Sequence, residues 1–234
     1  MKSNLQRKFK ETSVEYQILD FLSKFPSIDA LYAFTGGVAF GAYLGHLPRR
    51  LGDIDMLTDV KSFLKIKNFL EEENFIEVTK SKVIKEFQNK KVFFEIDIHV
   101  EYLYLALPPK WEILDKFPLK EALQSRIRLP LRSMDRFKQV DIYVIPPEYH
   151  FIIKLFPPIE PSNLHDLLYL MIIWKEPKVL IKKVSTLIRK HKRFEEFFVQ
   201  RIKEYEKIIF STIWFKKLSD KDQEKIFKLW KQLF

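Results

Sequence analysis

Residues 14–25 (VEYQILDFLSKF) place apolar side chains at helical spacing and predict an amphipathic helix. Residues 30–34 (ALYAF) form a short apolar run suited to a buried strand. It stops at Gly36-Gly37, and residues 38–44 (VAFGAYL) predict a helix. Residues 53–58 (DIDMLT) alternate acidic with apolar positions, the period of a strand with one polar face. Helical period returns over 60–73, and residues 75–80 and 81–87 predict two short strands. The clearest strand is 91–100 (KVFFEIDIHV), with Glu95, Asp97 and His99 on one face. Pro108, Pro109, Pro118 and Pro130 weaken the pattern between 103 and 136. Residues 140–145 (VDIYVI) predict a further strand, and Pro146-Pro147 opens a helix over 148–156 that carries Lys154. Pro157, Pro158 and Pro161 end it. Beyond Ser162, an N-cap candidate, helices are predicted over 163–175, 178–190, 194–209 and 220–233.

This order predicts an α/β (α+β) domain over residues 1–158, a mixed sheet flanked by helices, followed by a helical bundle over 159–234. Charge separates the two segments further. The formal net charge is +10, and from residue 178 onward sixteen Lys and Arg face seven Asp and Glu. A basic excess gathered in one segment points to a phosphate-rich partner, RNA first; solvated helix faces are the other reading. The absence of cysteine excludes disulfides, and five scattered histidines argue against a zinc site. No apolar run reaches the roughly 18 residues of a membrane span, and residues 1–13 lack a signal peptide's apolar core. A cytoplasmic protein that does not enter membranes is expected. Abundant Lys and Glu with no Cys and few Gly fit a heat-loving source.

All five glycines fall between residues 36 and 52, and that window runs directly into Asp53-Ile54-Asp55. Glycine serves where backbone needs positive φ or a close approach. Asp53 and Asp55, two apart on a strand, project from the same face. Like-charged carboxylates repel, and a cation between them offsets that cost. One or two carboxylates completed by phosphate oxygens and water make a Mg²⁺ site. Asp97 supplies a third if its strand lies beside that of Asp53. Gly36-Gly37 ahead of a helix offers free backbone N–H groups to an anion. Together these predict a metal–nucleotide site.

This arrangement resembles the nucleotidyltransferase fold shared by polymerase beta, CCA-adding enzymes and aminoglycoside nucleotidyltransferases. More narrowly, GGVAFGAYLGHLPRRLGDIDML looks like the corresponding segment of the AbiEii-like toxins of type IV toxin–antitoxin systems and their relatives. Those proteins carry a downstream Lys on a helix, followed by an Arg-Asp pair, and here Lys154 and Asp166 stand at the matching positions. The resemblance covers roughly residues 30–173. It departs from the family at His165, in place of the usual Arg, and at Tyr169, where a second Asp is frequent.

The resemblance implies a two-metal Mg²⁺ site at Asp53, Asp55 and Asp97, with Gly36 and Gly37 holding the triphosphate of an NTP. Asp97 would also help deprotonate the acceptor hydroxyl. Lys154 would be a point charge on the phosphates, and Asp166 would orient Lys154 or act near the acceptor. Arg49 and Arg50 are further phosphate contacts or surface charges. The implied reaction is transfer of a nucleoside monophosphate to RNA, tRNA included, with release of pyrophosphate. A toxin role would imply an antitoxin protein. The alternatives are a protein side chain or small molecule as acceptor, or a nucleotide-binding module without catalysis. His99 reads as a neighbour of the metal site or a solvated residue, and His46 as a surface residue. The 22 Phe read as core, and RKHKRF (189–194) as an RNA contact or an ordinary helix turn.

Overall fold

Helix α1 (Val14–Leu22) turns Ile18, Leu19, Phe21 and Leu22 inward, as its spacing predicts. It leads through a 3₁₀ turn at Phe25–Ser27 into strand β1 (Tyr32–Phe34) and helix α2 (Gly36–Leu44). The computed structural model describes residues 14–47, 51–79, 84–107, 112–135, 138–155, 159 and 161–233. Arg49 and Arg50 lie outside the described residues.

Strand β2 (Asp53–Thr58) precedes helix α3 (Val60–Glu72), whose first turn is capped by the Asp59 carboxylate, which accepts from the Ser62 N–H at 2.7 Å. The short strands β3 (Ile76–Glu77) and β4 (Lys85–Gln88) lead to β5 (Glu95–Val100). Between 103 and 136, where prolines hide the pattern, the chain builds a hairpin of β6 (Tyr102–Leu107) and β7 (Glu112–Pro118), helix α4 (Lys120–Gln124), and β8 (Ile127–Arg132). Pro130 sits within β8, which is tolerated because β8 is an edge strand. Strand β9 (Gln139–Val144) completes the sheet, in the order β3-β4-β5-β2-β1-β9-β8. Its pairings are mixed: β2 runs parallel to β5 and antiparallel to β1, and β1 is parallel to β9.

Burial alternates along the central strands. In β2 and β5 the in-register pairs Ile54–Ile96 and Met56–Ile98 are fully buried, and the residues between them face the other side. Many of the phenylalanines are core, as expected, although Phe93 and Phe227 are exposed: Phe21, Phe25, Phe69, Phe75 and Phe94 meet with ring centroids 5.0 to 6.0 Å apart.

The chain divides into two units, Met1–Pro146 and Pro147–Phe234. Consecutive prolines disfavour helical backbone at the residue before each ring, so the break falls between Pro146 and Pro147. Helix α5 (Pro147–Leu155), which bears Lys154, therefore groups with the helical unit. That unit continues with α6 (Pro161–Ile173), α7 (Pro177–Lys190), α8 (Lys192–Ile209), α9 (Ile213–Lys216) and α10 (Asp220–Trp230). Its interior includes Phe151, Leu167, Met171, Ile181, Phe198, Tyr205 and Trp230. Among the described residues no helix is long and apolar enough to cross a membrane.

Candidate active site

The strand carrying Asp97 is the direct parallel neighbour of the strand carrying Asp53 and Asp55. Asp55 lies opposite Asp97 and Asp53 opposite Glu95. Carboxylate oxygens of Asp53, Asp55 and Asp97 fall within 4.8 Å of one another. Across β5, Glu86 stands directly opposite Asp97, so a row of acids runs through three adjacent strands. Such crowding shows in Asp97, whose pKa is raised from 3.8 to about 6 by burial, then by the charges of Asp53, Glu86 and Glu95. A cluster of hard oxygen donors held this close fits a Mg²⁺ ion. His99 lies on the same face beyond Asp97; its Nδ1 is buried without a hydrogen-bond partner, and burial pulls its pKa down to about 4.

Gly36 and Gly37 are the first turn of α2 itself, not a turn ahead of a helix beginning at residue 38. Thr35, with extended backbone, is the N-cap, and its N–H donates to the Asp55 carbonyl at 3.0 Å. This bond ties the start of α2 to β2. Gly36 has φ +56°, and a Cβ there would meet Asp55 Oδ2 at 1.7 Å. The Asp55 carboxylate thus lies directly on the Gly36 α-carbon. At Gly37 a Cβ would meet Leu51 Cδ2 at 2.5 Å. The Thr35 hydroxyl is buried, caps nothing and has no hydrogen-bond partner. A buried orphan hydroxyl at a helix start, beside carboxylates, fits a phosphate-bearing ligand that would accept from it.

Lys154 and Asp166 meet within the second unit. Lys154 Nζ lies 3.0 Å from Asp166 Oδ2, and the Asp166 side chain is 1% exposed. Burial alone would raise the Asp166 pKa; the neighbouring His165 and the Lys154 charge outweigh it and hold the pKa below the usual range. The Tyr205 hydroxyl donates to the Lys154 carbonyl at 2.8 Å, fixing the end of α5. The His165 and Tyr169 rings stack with centroids 4.3 Å apart, and His165 Nδ1 lies 3.7 Å from Asp166. His46, in the first unit, lines a cavity of about 560 Å³ with Leu44, Pro130 and Arg132.

No family model matches the chain, and no curated protein matches it. Among solved structures, the antibiotic-resistance factor ANT(2'')-Ia aligns over 80% of this chain and 99% of its own, with TM-score 0.51 and 11% identity. The fold is the nucleotidyltransferase fold. The lincosamide antibiotic adenylyltransferase LnuA, bound to lincomycin, aligns over 68% of this chain and 96% of its own, with TM-score 0.46 and 20% identity. A nucleotidyltransferase-like protein from Paracoccidioides brasiliensis aligns over 79% and 91%, with TM-score 0.40 and 14% identity. At such identities the likeness concerns the fold alone.

On this nucleotidyltransferase fold the sequence-predicted residues gather in two groups, Asp53, Asp55 and Asp97 with Gly36 and Gly37 in the first unit, and Lys154 with Asp166 in the second. Thr35 and Glu86 join the first group without an earlier signal. Thr35 could have been found as the N-cap of a Thr-Gly-Gly start. Glu86 could not, because only the β4–β5 register brings it to Asp97.

Two consequences can be measured. Because the folded protein keeps a proton on Asp97 that the unfolded chain releases near 3.8, stability of the metal-free protein should fall as pH rises from about 4 to 6, then level off. The loss is on the order of 2 kcal/mol for this half-buried group. Asp97→Asn should flatten that slope in denaturant titrations, and an unchanged slope would contradict the assignment. In the second unit, Asp166→Leu leaves Lys154 Nζ without its buried partner and should cost about 3 kcal/mol. Lys154→Met with Asp166→Leu should cost less than Asp166→Leu alone. Additive losses in that double-mutant cycle would show that the pair is not coupled.

Proposed function

We propose that this protein transfers a nucleoside monophosphate from an NTP to an acceptor hydroxyl, with RNA as the acceptor. The observation that supports this reading is the in-register meeting of Asp53, Asp55 and Asp97 beside the glycine start of α2. Asp53, Asp55 and Asp97 would hold Mg²⁺, which supplies charge neutralisation at the phosphoryl oxygens. The Thr35 hydroxyl and the free N–H groups of the first turn of α2 bind phosphate oxygens. Asp97, in register opposite Asp55, takes the proton of the acceptor hydroxyl. The hydroxyl oxygen bonds to the α-phosphorus, the bond from that phosphorus to the bridging oxygen breaks, and pyrophosphate leaves. In the second unit Lys154 is a cation oriented by Asp166 and suited to a phosphate.

The sixteen cations against seven acids from residue 178 onward favour RNA as acceptor. A second reading, a small cationic acceptor, draws on Glu86 and Glu95 beside Asp97, acids beyond those needed for metal. A toxin role rests on the motif resemblance at residues 36–57 and would show as growth arrest on expression, relieved by a partner protein. The deciding experiment is calorimetric titration of each NTP with and without Mg²⁺, followed by transfer of the preferred nucleotide to an RNA pool with pyrophosphate release as readout. Micromolar binding that requires Mg²⁺ is expected. A folded protein that binds no NTP would overturn the reading.

A further inference from the structure

The net positive charge of the helical unit is divided unevenly among its helices. Helix α7 (PKVLIKKVSTLIRK) contains five Lys and Arg and no acid, so half of the chain's formal net charge of +10 sits on one helix. Its apolar stripe, Leu180, Ile181, Val184 and Ile188, is buried in the unit. Its opposite face exposes Lys178, Lys182, Thr186 and Arg189, at successive steps of four, four and three residues. These positions form one row along the helix, each about one turn, or 5.4 Å, from the next. Elsewhere in the unit acids are interspersed with the cations: Lys228 pairs with Glu224, Lys231 with Glu206 and Arg201 with Glu204. On α7, Lys183 reaches Glu148 at 3.3 Å, whereas Lys178, Lys182 and Arg189 form no ion pair among the described residues.

Local electrostatics do not explain this row. The first turn of α7 contains no acid, and Lys178 stands there, where the helix dipole disfavours a cation. Lys178 and Lys182 repel each other at the i, i+4 spacing. Arg189 and Lys190 suit the last turn, but among the described residues no ion pair offsets the other two. A regularly spaced row of unpaired cations complements a polyanion whose charges recur at comparable intervals. Membrane insertion does not fit, because the apolar face of α7 is already buried. A protein interface would need an apolar centre, and Val179, 45% exposed, is the one large apolar side chain α7 exposes.

We infer that the exposed face of α7, through Lys178, Lys182 and Arg189, is a docking surface for an RNA backbone. The choice of RNA over DNA rests on the reading of the first unit as an RNA-modifying site; the surface itself does not. It contacts phosphates and leaves bases unread, so binding is independent of sequence and steeply salt-dependent.

The test is fluorescence anisotropy with a labelled single-stranded RNA, an RNA hairpin and a duplex DNA of equal length, from about 50 to 200 mM salt. Lys178→Ala with Lys182→Ala should weaken RNA binding at least tenfold and make the log–log salt slope shallower by about 1.4, two contacts at about 0.7 each. Lys216→Ala with Lys217→Ala removes the same charge from exposed positions outside α7 and should leave the slope unchanged. Equal weakening by both pairs, or no RNA binding by wild type, would overturn the surface. Duplex DNA bound as tightly as RNA, or capture by phosphatidylserine vesicles that the α7 variant abolishes, would overturn the choice of RNA. Mg²⁺-dependent NTP binding, measured alongside, separates the two readings: it should be unchanged in the α7 variant. RNA binding without NTP binding in wild type would sink the catalytic reading and leave the docking surface standing.

Discussion

Asp53→Asn combined with Asp55→Asn should abolish Mg²⁺-dependent NTP binding and lower nucleotide transfer by at least about a thousandfold. Oxygen ligands from one or two carboxylates are what hold Mg²⁺ against phosphates, and charge neutralisation at the reacting phosphorus contributes several kcal/mol, each 1.4 of which is about tenfold in rate. The same change bears on stability in the opposite direction. Asp53 is exposed and raises the pKa of Asp97 by its charge, so Asp53→Asn alone should make the metal-free protein more stable at neutral pH. Loss of function with a gain in melting temperature is the signature of a site whose charges serve a ligand rather than the fold. Calorimetry with each NTP and thermal denaturation with and without Mg²⁺ measure both. Retained Mg²⁺-dependent NTP binding in the double variant would remove these carboxylates from the site.

How much of this was legible in the sequence depends on the range of each contact. The alternation in DIDMLT and EIDIHV is local, and it correctly places Asp53, Asp55 and Asp97 on polar faces of strands. That β2 and β5 are parallel neighbours is a long-range fact, so Asp97 could be paired with Asp55 from the sequence only as a condition. Glu86 depends on a second such register, from a strand of four residues that shows no clear alternation. The hairpin β6–β7 and strand β8 were hidden because proline lowers a strand's propensity wherever it occurs, whereas an edge strand has a side that needs no N–H. Helical period located Lys154 and Asp166, but their contact is made between two helices. The start of α2 shifted because glycine has weak helix propensity, and here the Thr35 to Asp55 backbone bond decides the boundary.

Three of the glycines separate the ways a glycine can be required, and Gly36→Ala should have by far the largest effect. At Gly45, φ is +81° and a Cβ would meet nothing within 4 Å, so Gly45→Ala measures backbone strain alone, about 1 kcal/mol. At Gly37 no positive φ is involved, and the Cβ would press on the tip of the Leu51 side chain, which can turn aside. At Gly36 both conditions hold together: φ is +56°, and the Cβ would fall 1.7 Å from Asp55 Oδ2 and 2.7 Å from Asp55 Cγ. The alanine must either unwind the first turn of α2 or displace the carboxylate, which the β2 backbone anchors from the other side. Gly36→Ala should therefore cost about 3 kcal/mol, from strain plus the displaced contact. Its Mg²⁺-dependent NTP affinity should fall at least about a hundredfold, while Gly45→Ala binds as wild type. Denaturant titration and calorimetry on the three variants read the two effects separately. If Gly36→Ala loses stability but binds Mg²⁺ and NTP as wild type does, the glycine serves packing alone, and the start of α2 is not the phosphate cradle.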